Sequence, residues 1–198
     1  MNKDFSLFDN CVMLTYNNSV RERCLDFSCG DVDLDDFFHN DAERYANELM
    51  GKSYCWITEE KPHQIVALYT LANDSIKTLH LEKSTRNRLN RPIDNHKRGR
   101  SYPATLIGRI GVNKEFQGMN IGSQLLQFLK DWFRHEDNKT GCRFLVVDAY
   151  NNPRTLRFYE HNKFRFLHAD EEEESLYYNI PSDEVIATRL MYFDLKNP

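Results

Sequence analysis

Hydrophobic positions along this chain follow two different rhythms. Across residues 31–50, Leu34, Phe37, Phe38, Ala42, Tyr45 and Leu49 recur at steps of three and four, which predicts a helix or a helix pair. Asp31, with acidic residues in the turn after it, marks the start, and Gly51 marks the stop. The clearest helical stripe runs over residues 121–133, where Ile121, Leu125, Leu126, Leu129, Trp132 and Phe133 form the face to be buried. Shorter segments read as strands: 12–14, 54–58, 64–71 and 104–112, the last with Leu106, Ile110 and Val112 on one face. Residues 59–63 read as a polar hairpin connection. The continuous apolar run 144–147 suits a strand covered on both sides. A helix is predicted from Pro153, which follows Asn152 as a first helical residue should, and strands close the chain at 164–167 and 185–193.

This order of elements predicts an α/β fold, a mixed sheet with helices on both faces. A classical dinucleotide fold fits less well, because the N-terminal half offers a hairpin where a βαβ unit belongs. No repeat and no Gly/Ser- or Pro-rich linker interrupts the chain, so residues 1–198 are read as one domain. With 40% hydrophobic and 28% charged residues the composition is globular. The five cysteines, Cys11, Cys24, Cys29, Cys55 and Cys142, are odd in number and widely spaced, which predicts reduced, mostly buried thiols and neither a disulfide framework nor a metal site. The first thirty residues carry charges and no long apolar run, so no signal peptide or membrane span is expected, and the cytoplasm is the expected location.

Net charge is −4, which argues against wholesale coating of nucleic acid, but the charge is unevenly spread. Lys83, Arg86, Arg88, Arg91, Lys97, Arg98 and Arg100 crowd residues 83–100, which are read as a basic surface excursion, partly helical at most. Residues 170–174 form a solid acidic run.

The stretch from Ile110 through Gly111, Val112, Gln117, Gly118, Met119, Asn120, Ile121 and Gly122 to Ser123 carries the candidate chemistry. A strand ends, a polar connection follows, and a glycine-containing turn opens the long helix. The first turn of a helix presents N–H groups and a partial positive charge, which suit phosphate oxygens. Gly118 and Gly122 remove side chains where a ligand or a neighbouring strand approaches, and Asn120 tolerates a left-handed backbone. Such a turn also closes many βα units that bind nothing. Neither a Walker A nor a G-x-G-x-x-G pattern is present here.

The stretch resembles the acetyl-CoA-binding motif of the GNAT superfamily, with Gln117 in the first position, Gly122 in the last, and Asn120 where glycine is usual. Downstream, Asn152 followed by Phe158-Tyr159 and, four residues further, Lys163-Phe164 is similar to the family's second motif, Lys163 standing in place of glycine. The resemblance covers roughly residues 20–193. It implies a GNAT-like fold whose central strands splay apart, with acetyl-CoA as co-substrate and no metal. It further implies that Ile110, Gly111 and Val112 pair with the pantetheine arm, that residues 117–123 hold the pyrophosphate, and that Asn152 bonds the pantetheine. Tyr159 would protonate the departing thiolate; the alternative is a core tyrosine beside Phe158. The Val112 N–H would polarise the thioester carbonyl. Asp148, Glu115 and Glu160 are candidate bases, each as readily a solvated or capping carboxylate.

The resemblance implies acetyl transfer to a primary amine of a small molecule or peptide. A second reading comes from Phe27-Ser28-Cys29-Gly30 with Leu34 and Phe37-Phe38, and from Tyr102-Pro103 through Leu106-Ile107-Gly108-Arg109. Both segments resemble GNAT toxins of toxin–antitoxin modules, which acetylate aminoacyl-tRNA. That reading brings an antitoxin partner with it and gives the basic excursion phosphates to contact. A third reading is a coenzyme A-binding module without turnover. A homodimer is compatible with all three.

Overall fold

Ser6 sets the first element: its hydroxyl accepts from the N–H groups of Phe8 and Asp9 and caps the one-turn helix α1 (Leu7–Asn10). From there the computed structural model, which describes residues 5–181 and 183–197, runs through seven strands and eight helices among those residues. Strand β1 (Cys11–Thr15) pairs antiparallel with β2 (Lys52–Thr58), from Cys11↔Thr58 to Thr15↔Tyr54. β2 in turn pairs antiparallel with β3 (Ile65–Lys77), with a register shift between Trp56 and Ile57. Burial in β3 is continuous from Ile65 to Leu71, and the strand then carries on to Lys77 through a mostly polar stretch in which Ile76 is buried again. The end predicted from hydrophobicity, residue 71, is thus where continuous burial stops and not where the strand stops.

Three helices separate β1 from β2: α2 (Asn18–Arg21) under an Asn17 cap, α3 (Val32–Asp36) under an Asp31 cap, and α4 (Ala42–Asn47). The helical stretch expected from Asp31 is therefore not one regular helix. Between α3 and α4 the chain widens into a π-type turn at Phe37–Asp41, where two adjacent phenylalanines, Phe37 and Phe38, are both buried. A Cβ on Gly51 would lie 2.7 Å from the Tyr45 ring and 2.9 Å from the Leu71 carbonyl, so packing requires glycine there.

The basic excursion is more ordered than its composition predicts. Residues Lys83–Asn90 form α5, and Leu89 and Ile93 are buried. The Arg88 guanidinium donates to the carbonyls of Phe166 and Leu167, so this cation holds the fold together. Strand β4 (Ser101–Val112) follows, then α6 (Ile121–Arg134) and β5 (Phe144–Tyr150). β4 and β5 pair in parallel over three positions, from Ala104↔Phe144 to Leu106↔Val146. The predicted stripe of α6 is buried at Ile121, Leu125, Leu126 and Leu129, whereas Trp132 and Phe133 are half-buried and Lys130 is buried with the stripe.

Helix α7 (Pro153–His161) and strand β6 (Arg165–Phe166) come next. The acidic run then turns out to be the first turn of α8 (Glu171–Tyr178), capped by Asp170, a placement that suits negative charge at the helix N-terminus. Strand β7 (Thr188–Asp194) pairs antiparallel with β5 along its whole length and with β6 at two positions. The strands follow the order β1-β2-β3-β4-β5-β7-β6, a mixed seven-stranded sheet of α/β class.

Contacts divide the chain into two compact units, each with its own core. The first contains the described residues through Ala72 together with Ile107–Asp131, and its core includes Phe27, Phe37, Phe38, Ile57 and Leu68. The second contains Asn73–Leu106 and the described residues from Trp132 onward, around Ile76, Leu89, Phe144, Val146 and Leu167. The five cysteines are free; Cys11 and Cys55 are buried, and the other three are half-buried. Among the described residues no helix is long and apolar enough to cross a membrane.

Candidate acetyl-CoA site

In the first unit, β4 ends on Ile110, Gly111 and Val112. A Cβ on Gly111 would sit 3.2 to 3.3 Å from Cys29 and the Phe27 ring, a crowding that glycine avoids. Asn113 then anchors the chain. Its N–H donates to the Val66 carbonyl at 2.9 Å and its side-chain amide to the Ile65 carbonyl at 3.0 Å, while its Oδ1 accepts from the Glu115 N–H. One turn of 3₁₀ helix (Lys114–Phe116) leads to Gln117.

Gly118 has φ +80° and Asn120 has φ +61°, both in the left-handed region. Asn120 therefore takes the conformation for which glycine is otherwise used. The first α-helical bond of α6 runs from the Gln124 N–H to the Asn120 carbonyl, so the N–H groups of Ile121, Gly122 and Ser123 lie ahead of the helical ladder, at its positive end. A Cβ at Gly118 would meet no atom within 4 Å. Open space, two left-handed residues and a helix N-terminus fit a pyrophosphate.

The Gln117 side chain does not point into that space. Its Nε2 donates to the carbonyls of Cys29, at 2.8 Å, and Val112, at 3.0 Å. The segment Phe27–Gly30 buttresses the turn in other ways as well: the Ser28 carbonyl accepts from the Lys114 N–H. The Asp35 carboxylate clamps this segment, accepting from the Ser28 hydroxyl at 2.7 Å, the Cys29 N–H at 2.8 Å and the Gly30 N–H at 3.4 Å. Burial alone would raise the Asp35 carboxyl, but these donors outweigh it and hold it below its ordinary range. Sequence reasoning missed Asp35; the acidic residue following a Cys-Gly turn was the signal.

Of the residues predicted in the second unit, Asn152 is the N-cap of α7 and accepts from the Thr155 N–H at 2.9 Å. Tyr159 is buried, its ring 5.1 Å from Phe158 and 5.5 Å from Phe164. Burial, and secondarily the charge of Asp148, push its phenol well above the ordinary value, so it keeps its proton at neutral pH. Lys163 adopts φ +66°, so the turn keeps its left-handed shape without glycine. Among the candidate bases, Glu115 accepts from Gln64 and Glu160 is exposed. Asp148 reaches the surface, yet its carboxyl is raised by the partial burial of its surroundings and by its neighbours Asp74 and Glu174.

The family model for the acetyltransferase (GNAT) family matches residues 31–164, and this chain belongs to that family. It is accordingly an acyltransferase that draws its acetyl group from acetyl-CoA. A tRNA-acetylating toxin of Mycobacterium tuberculosis (strain ATCC 25618 / H37Rv) is 29% identical over 144 residues, which span 73% of this chain and 79% of the toxin. Among solved structures, a tyrosine-to-phenylalanine mutant of KacT is similar with a TM-score of 0.70 and 16% identity, over 95% of this chain and 96% of that one. AtaT complexed with acetyl-methionyl-tRNAfMet is similar with a TM-score of 0.67 and 17% identity, over 94% and 96% of the two chains.

Proposed function

We propose that this enzyme acetylates the amino group of an aminoacyl-tRNA and acts as a toxin held in check by an antitoxin partner. The observation that carries this reading is the similarity to a tRNA-acetylating toxin across 73% of the chain. The amine nitrogen attacks the thioester carbonyl, the C–N bond forms as the C–S bond breaks, the thiolate takes a proton, and the nitrogen releases one to solvent, from which the proton donor is restored. Tyr159, protonated at neutral pH, is the proposed donor of that proton. The first turn of α6 is the proposed seat of the pyrophosphate, and Lys83, Arg91 and Arg100, all exposed, are the proposed contacts to tRNA phosphates. Arg88 is left out of that set because its guanidinium is engaged with the carbonyls of Phe166 and Leu167.

The test is acetylation of charged tRNA beside acetylation of a polyamine and a peptide, at two salt concentrations. Transfer to tRNA that falls steeply with salt, and falls further when Lys83, Arg91 and Arg100 are replaced by serine, is the expected result. Transfer to the small amine or peptide with none to tRNA would return the enzyme to the small-amine class.

A further inference from the structure

Arg109 lies in the first unit, three residues before the end of β4. Alternation along the strand puts it on the same face as Gly111, the face that packs against Phe27 and Cys29. Its guanidinium carbon sits 3.8 Å from the centre of the buried Phe37 ring and 5.9 Å from that of Tyr45. Stacking of this kind is attractive and orients the planar group, yet it leaves the N–H donors unused. Arg109 makes no hydrogen bond or ion pair with any other described residue. Carboxylates of the helical segment that carries Phe37 are engaged elsewhere: Asp35 accepts from Ser28, Asp36 accepts from the Asn40 amide, and Asp41 pairs with Arg44 at 2.7 Å. Arg109 is half-buried, but none of its nitrogens is sealed from solvent without a partner. A guanidinium keeps its charge throughout the physiological pH range, so this is a fixed, accessible and unpaired cation.

A planar fork of donors suits a phosphate or a carboxylate. Val112 lies three residues further on, about 10 Å at strand spacing, and the proposed pyrophosphate seat lies beyond it. Arg109 is thus placed for a different anion. In the proposed reaction the amino acid is esterified to the terminal ribose of the tRNA, so it brings no free carboxylate. The negative charge nearest its amine is the phosphodiester that joins the terminal nucleotide to the rest of the chain.

We propose that Arg109 binds this terminal phosphodiester and thereby positions the amine at the thioester; the proposal rests on the aminoacyl-tRNA reading. The test uses an aminoacylated tRNA that the wild type acetylates, chosen from the total pool, and the same tRNA with an uncharged methylphosphonate at that one linkage. The methylphosphonate and Arg109→Gln should each lower kcat/KM by about tenfold or more, as expected for hydrogen bonds to a charged group. Combined, they should cost no more than either alone, because both remove the same contact. The loss should fall on the KM for tRNA, with acetyl-CoA affinity by calorimetry unchanged. Arg109→Lys, which keeps the charge without the fork, should recover part of the loss, and it carries the same comparison if the glutamine variant is unstable. Additive losses or an unaffected Arg109→Gln enzyme would overturn the proposal. So would weaker acetyl-CoA binding in that variant, which would give Arg109 to a coenzyme phosphate. A wild type that acetylates no tRNA is a separate failure, which removes the aminoacyl-tRNA reading and this proposal with it.

Discussion

The side-chain amide of Gln117 donates to the carbonyl of Val112 at 3.0 Å, drawing the first residue of the turn back onto the last residue of β4. With its second bond, to Cys29, it ties the turn to both segments that flank it in the first unit. The side chain thus shapes the turn, and the backbone N–H groups are the proposed contacts to the ligand. Replacing it tests that division. Gln117→Ala should weaken acetyl-CoA binding and cost about 1 kcal/mol of stability, the usual net worth of such bonds. Gln117→Glu should do more harm, because a carboxylate cannot donate and sets negative charge against two carbonyls and beside the proposed seat of the phosphates. Calorimetric titration with acetyl-CoA ranks the three proteins; a glutamate variant that binds better than the alanine variant would contradict this role.

The left-handed residues make a second test. Asn120→Gly should keep acetyl-CoA binding and folding, because glycine reaches φ +61° without strain. Gly118→Ala should lose about 1 kcal/mol although its Cβ would meet nothing, since the cost lies in the backbone conformation. Lys163→Gly should gain a similar amount for the same reason. Urea unfolding of the three variants measures the stability changes, and calorimetric titration with acetyl-CoA checks the binding of Asn120→Gly.

Much of this architecture was legible because burial and periodicity coincide in it. The stripe from Ile121 to Leu129, the strand pattern of β5, the Asn152-Pro153 helix start and the left-handed tolerance of Asn120 all follow from local rules. The misses lie where tertiary contacts override composition. Residues 83–100 are rich in cations, yet Leu89 and Ile93 reach the core and Arg88 bonds to carbonyls far along the chain. The acidic run conceals a helix, because Glu174 is neutralised by Arg189, fifteen residues away. Gln117 was readable as a motif position, but its hydrogen bond to Cys29 was not, since it depends on how a distant segment packs.

Asp35 gives a prediction in pH. Its carboxyl lies below the ordinary value of 3.8 when folded, so the unfolded chain takes up the proton first as pH falls. The stability it adds is complete above that ordinary value and is lost as pH drops through the lower folded value. Asp35→Asn should therefore be less stable than the wild type at neutral pH, and the gap should narrow in strongly acidic solution. Denaturation midpoints of both proteins across pH 2–7 test the sign; a gap that widens in acid would refute the assignment.

Glu174 and Arg189 form a buried pair, Nε to Oε2 at 2.5 Å, and the other Glu174 oxygen accepts from the Leu190 N–H. Truncating one partner leaves a buried charge without compensation, which costs about 3–5 kcal/mol. Glu174→Ala should therefore destabilise the enzyme far more than Glu171→Ala, whose carboxylate sits 3.9 Å from Arg189 and is largely exposed. Equal denaturation midpoints for the two variants would show that the buried pair carries no special weight.

Tyr159 decides between packing and chemistry. If its hydroxyl protonates the leaving thiolate, Tyr159→Phe should lower kcat by about a hundredfold or more while acetyl-CoA affinity stays near that of the wild type. Folding should change little, because the ring contacts with Phe158 and Phe164 survive the substitution. Tyr159→Ala removes those contacts too and should cost about 3 kcal/mol or more in stability, the usual penalty for emptying an aromatic core position. Measuring kcat, acetyl-CoA affinity and the unfolding midpoint for both variants separates the two roles. A phenylalanine variant with full turnover assigns the residue to the core, whereas a stable variant that binds the coenzyme and fails to turn over assigns the hydroxyl to the reaction.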